Sequence, residues 1–231
     1  SWEVYPGELL GIIGPNGAGK SSCYDAVTAM VPRSGRVVLG GRDVTQVPAY
    51  DLAELGVKRA FQQNAFFDDL GVLDNLVAAL GKRAYAGLFA SVIDPVGAAR
   101  KRAAASEFAA HQLVRFGVPA SYHRKSPREI PYGVQRMLSI ALAYGADAAV
   151  LMLDEPAAGL GGDDIAWLVE LLVELKREGV ALVVIEHHMD LIMAVADRIC
   201  VLDLGRQLAC GTPSQVQQDP RVLEAYLGKP Q

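Results

Sequence analysis

Three unbroken apolar runs punctuate the chain, and each ends on residues that carry chemistry. Leu9-Leu10-Gly11-Ile12-Ile13 leads into a glycine-rich turn, Ala148 to Leu153 into Asp154-Glu155, and Val180 to Ile185 into Glu186-His187-His188. Continuous rather than alternating apolar residues predict strands buried on both faces, as in a parallel sheet. Between them, apolar positions recur at helical spacing. Helices are predicted over Lys20 to Met30, Val72 to Leu80, Pro95 to Phe116 and Met137 to Tyr144. Another has Ile165, Leu168, Val169, Leu172 and Leu175 on one face and stops at Gly179.

Shorter signals fill the gaps. Arg36 to Leu39, a Gly40-Gly41 turn and Arg42 to Val44 read as a small hairpin. Pro48 to Leu55 reads as a short helix, and Val57 to Phe61 as a strand ending at Gln62-Gln63. Arg198 to Asp203 and Gln207 to Cys210 flank a Leu204-Gly205 turn. Thr212-Pro213-Ser214-Gln215 is a capping box with proline at the first helical position, and Asp219-Pro220 opens a last helix through Leu227. The α/β texture gives way to alanine-rich helix between Phe66 and Ser126. The expectation is an α/β core, residues 1–65 and 137–231, with an inserted α-helical subdomain, residues 66–136, and a short antiparallel β part. Ligands of such a sheet bind at the carboxyl ends of its strands.

Composition narrows the classes. The 231 residues are 51% hydrophobic and 21% charged, an ordinary globular balance. A net charge of −4 argues against a dedicated nucleic-acid binder, which carries a basic excess. No apolar run approaches the ~20 residues needed to span a bilayer. Ser1-Trp2-Glu3 lacks the basic region and long apolar stretch of a signal peptide. Cys23, Cys200 and Cys210 read as three reduced, buried thiols rather than a disulfide or metal site. Arg100-Lys101-Arg102 reads as a solvated helix face.

The turn after the first apolar run, Gly14-Pro15-Asn16-Gly17-Ala18-Gly19-Lys20-Ser21-Ser22, fits Gly-x-x-x-x-Gly-Lys-Ser between a strand and a helix. Its glycines let successive backbone N–H groups point inward around phosphate oxygens, and the helix adds the positive end of its dipole. A nucleoside triphosphate is thus expected on Asn16, Gly17, Ala18, Gly19, Lys20, Ser21 and Ser22. Lys20 would neutralise the β- and γ-phosphates, and the Ser21 hydroxyl would enter the Mg²⁺ shell. Two acids at a buried strand end are costly unless they hold a cation or a water. Asp154 is therefore expected to anchor Mg²⁺, and Glu155 to polarise the attacking water as general base. His187, at the next strand end, would lie near the γ-phosphate, and Gln62 offers an amide to the Mg²⁺ shell or the water.

In this order the motifs resemble an ATP-binding-cassette (ABC) ATPase over essentially the whole chain. Gly14 to Ser21 is similar to the Walker A motif, Gln62 to the Q-loop and Ile130 to Val134 to the signature. Val150 to Asp154 is similar to Walker B, Pro156 to Gly161 to the D-loop and His187 to the switch histidine. Within the family the chain looks most like the larger ATPase subunit of branched-chain amino acid importers. The Tyr-Pro-Gly-Glu entry, Phe61-Gln62 before Phe66-Phe67, Asp154 to Leu160, Glu186 to Met189 and the closing Ala225-Tyr226-Leu227-Gly228 carry that resemblance.

The departures are specific. Where this branch has Leu-Ser-Tyr-Gly-Gln, the chain has Ile130-Pro131-Tyr132-Gly133-Val134. Proline at 131 removes a hydroxyl and an N–H from a site that the resemblance implies faces the γ-phosphate bound by the opposite subunit. Losing one donor to a charged phosphate costs on the order of 1.5–3 kcal/mol. The D-loop aspartate position is Gly161, and His188 follows the switch histidine. Strands that precede the P-loop entry in the family, with an adenine-stacking aromatic, have no counterpart here, because Tyr5 lies too close to the P-loop. The N-terminal strands are expected to be missing, whether by excision from a longer chain or by loss of the natural start.

The resemblance implies ATP and Mg²⁺ as cofactors, and transmembrane permease subunits and a second ATP-binding subunit, in a homo- or heterodimer, as partners. An extracytoplasmic solute-binding protein would take part indirectly, and the chain would sit peripherally on the cytoplasmic face of the membrane. No nucleic acid is implied. Asp68-Asp69 either pairs with a basic residue of the permease or forms a solvated acidic turn. The alternative to an amino acid importer ATPase is a nucleotide-binding regulatory subunit with little turnover of its own.

Overall fold

The computed structural model describes residues 1–61, 65–81, 84 and 93–227. They begin with β1 (Leu9–Ile13), α1 (Lys20–Val27), β2 (Val38–Leu39), β3 (Arg42–Asp43), α2 (Ala49–Glu54) and β4 (Val57–Ala60). Then come α3 (Val72–Ala79), α4 (Pro95–Arg115), α5 (Tyr132–Tyr144), β5 (Val150–Asp154) and α6 (Gly162–Arg177). β6 (Ala181–Ile185), α7 (Met189–Val195), β7 (Arg198–Asp203), β8 (Arg206–Gly211), α8 (Pro213–Gln217) and α9 (Pro220–Leu227) follow. The chain divides into two compact units. The first comprises residues 1–62, 148–158 and 168–231, the second residues 63–147 and 159–167.

In the first unit the apolar runs form the middle of a six-stranded sheet, in the order β4-β5-β6-β1-β7-β8. Five strands are parallel, and β8 returns antiparallel to β7. β1 and β6 are buried at every position, which is why their sequences do not alternate. Ile12 and Asp154 both register with Ile185, so β1, β5 and β6 end at one level. The fully buried Tyr24 of α1 donates to the carbonyl oxygens of Leu153 and Val183, which pins α1 onto β5 and β6. Arg33 donates to the carbonyls of Ala26 and Val27 at the end of α1 and to those of Val44 and Thr45. It thereby satisfies helix-end acceptors and ties in the β2–β3 hairpin.

The second unit is helical. Leu76 of α3, Leu113 of α4 and Leu138 of α5 are fully buried, and the Phe116 and Tyr144 rings meet at 5.2 Å. Asn75 is 1% exposed because its amide is used up on backbone. It accepts from the Phe67 N–H and donates to the carbonyls of Phe67, Leu70 and Gly71. Asp68, on that same turn, pairs with Arg128 of the same unit while both side chains stay well exposed.

Three local expectations change. α5 begins at Tyr132, not Met137, because its first turn lies on the glycine-containing stretch that had no apolar periodicity. α7 was not expected at all. It has seven residues, too few to show a period, and its cap is the ring of His188, which accepts from the Leu191 N–H at 3.4 Å. Cys200 is buried, but Cys23 is half-buried and Cys210 is exposed. Cys210 lies on β8, the edge strand, which leaves its thiol open to solvent.

Burial pushes the Cys200 thiol up from the usual 9.0 to about 12, and burial holds the Tyr24 phenol well above its ordinary 10.0. Both groups ionise more readily in the unfolded chain, so the unfolded state sheds protons first as pH rises. Thermal melting temperatures should therefore fall from pH 9.0 towards about 12 as this contribution is lost. Near neutral pH, a maleimide should modify Cys210 and spare Cys200, which peptide mass mapping would read out.

Candidate functional site

The glycine-rich turn leaves β1 at Ile13 and closes into α1 at Lys20. Gly14 is required by close approach: a Cβ there would lie 2.1 Å from the carbonyl oxygen of Leu202. Gly19, at φ 94, is the N-cap residue of α1 and provides no side-chain cap, so the first helical N–H groups stay available to an anion. Ala18 is buried, and its carbonyl accepts from the Gly205 N–H at 2.9 Å. Asn16, Gly17, Ser21 and Ser22 are exposed. The Lys20 ammonium donates to the carbonyls of Gly14 at 2.8 Å and Pro15 at 3.2 Å.

The other chemical residues arrive at the same sheet edge. Asp154 ends β5 and is 5% exposed. Glu155 follows at φ 48, an uncommon conformation for a residue with a side chain. Its turn is closed by the Ala158 N–H donating to the Glu155 carbonyl at 3.1 Å. His187 follows β6, and its Nδ1 lies 3.5 Å from Oε1 of Glu155. Strand order explains the meeting: β5 and β6 are neighbours, and β1 lies next to β6. Gln62 lies outside the described residues, although β4, the strand before it, is the next neighbour of β5.

Two further charged residues at this edge were given no role by the sequence pattern. Arg59 of β4 places guanidinium nitrogens 2.6 Å from Asp25 of α1 and 3.8 Å from Asp154. Its plane stands over the rings of Tyr24 at 5.7 Å and Phe61 at 4.9 Å. An arginine inside a predicted strand was the only available hint. Glu186 is 1% exposed and bonds to the backbone of both neighbouring loops.

The five residues from Ile130 to Val134 belong to the second unit. Ile130 is buried, Pro131 is the N-cap of α5 with no side-chain cap, and Tyr132, Gly133 and Val134 form the first helical turn. The Gln135 amide donates to the Ile130 carbonyl at 3.0 Å. Gly133 accommodates the Asp164 carboxylate: a Cβ there would lie 2.4 Å from its oxygen. Pro131 thus occupies the position where serine, threonine, aspartate or asparagine usually caps, while the N–H groups of the first turn remain.

Comparison with known proteins gives a consistent picture. Residues 1–158 match the family described as ABC transporter, and residues 206–230 match the branched-chain amino acid ATP-binding cassette transporter family. The chain is 37% identical over 229 residues to LivG of Escherichia coli strain K12, a high-affinity branched-chain amino acid transport ATP-binding protein. That alignment covers 98% of this chain and 89% of LivG. BraF of Pseudomonas aeruginosa, described in the same words, is 34% identical with the same two coverages. The structure of a nucleotide-free ATP-binding cassette from an ABC transporter matches with a TM-score of 0.81 at 26% identity. It covers 98% of this chain and 90% of that one.

Arg59 sits between two carboxylates with its side chain 10% exposed. Removing one partner of such a group leaves uncompensated charge. Arg59→Met should lower the unfolding free energy by about 2–4 kcal/mol, measured by urea denaturation. Arg59→Lys should recover only part of the loss, because lysine lacks the planar fork that turns one nitrogen to Asp25 and the other towards Asp154.

Proposed function

Since this chain belongs to the ABC transporter family, we propose that it binds and hydrolyses ATP to power uptake of branched-chain or related amino acids. One observation carries the reading. The glycine-rich turn, Asp154-Glu155 and His187 share one sheet edge, with Glu155 and His187 3.5 Å apart.

The chemistry follows from the residues. The backbone N–H groups from Asn16 to Ser22 cradle the phosphates, and Lys20 exchanges the carbonyls of Gly14 and Pro15 for phosphate oxygens. The exposed Ser21 hydroxyl and the buried Asp154 carboxylate suit Mg²⁺. Among the described residues no group of three or more His, Cys, Asp or Glu could cage a metal. Mg²⁺ takes few protein ligands and keeps water and phosphate oxygens for the rest. When bound, Mg²⁺ neutralises charge on the phosphate oxygens. Glu155 accepts a proton from the attacking water, whose oxygen bonds to the γ-phosphorus as the bond to the bridging oxygen breaks. ADP and phosphate leave. His187 holds the water or the γ-phosphate in line, and Gln62 contributes its amide to the water or the Mg²⁺ shell.

Two such cassettes would sandwich two nucleotides head-to-tail, with the first unit as ATP-binding core and the second as helical subdomain. The first turn of α5 would then face the partner's ATP. The hydroxyl missing at Pro131 weakens the partner's site, not this chain's own, so the assembly we propose pairs this chain with a related subunit carrying an intact signature. No helix of the described residues is long and apolar enough to cross a membrane. The place proposed is peripheral, on the cytoplasmic face against permease subunits, with a solute-binding protein delivering the amino acid outside. Pro131 also favours a second reading, a regulatory subunit with little turnover, and measured turnover separates the two.

The test is Mg²⁺-dependent ATP turnover against the concentration of the chain, alone and with candidate partner subunits. Glu155→Gln should cut turnover by about 100-fold or more and leave nucleotide binding intact. Turnover that stays near zero with every partner, despite nucleotide binding, would favour the regulatory reading. In the assembled transporter, Pro131→Ser should raise turnover by roughly 10- to 100-fold, the value of one donor to a charged phosphate. An unchanged rate would count against the shared-site arrangement.

A further inference from the structure

The Glu186 side chain has no exposed surface. Burying a carboxylate costs several kcal/mol unless hydrogen bonds hold its charge, and its partners here are all backbone. Oε1 accepts from the Ala157 N–H at 2.8 Å. Oε2 accepts from the N–H groups of His187 at 2.8 Å and His188 at 3.0 Å. The Glu186 N–H in turn donates to the Ile12 carbonyl of β1. One carboxylate therefore grips the loop after β5 and the loop after β6, on a residue fastened to the strand that leads into the glycine-rich turn.

The two gripped loops hold the two side chains that must act together. Ala157 lies inside the turn closed from Ala158 to Glu155, where Glu155 is kept at φ 48. His187 sits directly on the other grip, with Nδ1 3.5 Å from Glu155 and 3.9 Å from Glu186. A single cap on the His187 turn would need only a short local acceptor, as in an Asx turn. Glu186 has the extra reach to cross to Ala157.

We propose that Glu186 is a positioning residue that fixes Glu155 and His187 relative to each other by holding their two loops together. This rests on the ATPase reading above and adds a residue to it. The carboxylate is needed for its two acceptor oxygens. A glutamine has one, so its amide NH₂ would confront either Ala157 N–H or the His187 and His188 pair. An aspartate keeps the charge and the local bonds to His187 and His188 but falls short of Ala157.

The experiment compares the wild type with Glu186→Gln and Glu186→Asp, and follows amide hydrogen exchange by NMR, nucleotide affinity and turnover with partner subunit present. In Glu186→Asp, exchange at Ala157 should accelerate by about tenfold or more while His187 and His188 stay within about threefold. Turnover should fall by roughly 10- to 100-fold, as for a misplaced reacting group, with nucleotide affinity within about twofold. Adding His187→Ala to Glu186→Asp should cost less than the sum of the two single losses, since both act on one pair. Glu186→Asp keeps the buried charge satisfied locally, so it serves where Glu186→Gln fails to fold. Unchanged Ala157 exchange, or faster exchange with unchanged turnover, overturns the proposal and leaves the ATPase reading standing. Absence of turnover in the wild type defeats the ATPase reading instead, and Ala157 exchange alone then decides whether the brace exists.

Discussion

β1 must be buried on both faces and paired along both edges, and that requirement organises the first unit. Its five residues are apolar throughout and pair with β6 on one side and β7 on the other. A strand so placed needs helices over both faces and parallel neighbours, and parallel neighbours bring their carboxyl ends to one edge. The glycine-rich turn leaves that edge, and the turn between β7 and β8 meets it, with the Gly205 N–H on the Ala18 carbonyl. Gly14 has no room for a side chain because the Leu202 carbonyl occupies it.

Charge at this edge is handled by assigning each buried carboxylate a specific set of donors. Asp154 has the Arg59 guanidinium 3.8 Å away, and that guanidinium is itself held by Asp25 and flanked by two rings. Glu186 draws only on backbone N–H groups. The difference suits their places. The carboxylate proposed to receive a metal ion has a cation near it, whereas Glu186 is locked by neutral donors fixed in the chain. Glu155, between them, is more exposed than either and carries the unusual backbone conformation.

The second unit brings a helix whose cap is proline. Pro131 preserves the helix start, since its extended backbone leads directly into the first turn, but it offers the helix N-terminus no hydroxyl. The anion-attracting character of that terminus is then carried by the backbone N–H groups of Tyr132 to Val134 alone. Asp68 and Arg128 pair at the surface of the same unit, where both are well exposed and the bond contributes little to stability.

Much of this was legible in the chain itself, because the signals are local. A glycine-lysine-serine turn between an apolar strand and a helix specifies its own backbone, and Thr212 to Gln215 forms the capping box that its residue types imply. The buried strands read correctly because burial on two faces leaves no polar position. Other features had no local signature. α7 was too short to show a period, and Cys210 was read as buried because nothing in its neighbours says that β8 is an edge. Arg59 gained meaning only when β4 was laid beside β5, and Glu186 only when β5 was laid beside β6. By itself the sequence determined the buried strands, the long helices and the glycine-rich turn between β1 and α1, since those depend on contacts within a few residues. Which carboxylate meets which donor was decided by strand order, because the hydrogen bond between Glu186 and Ala157, 29 positions apart, exists only once the sheet is assembled.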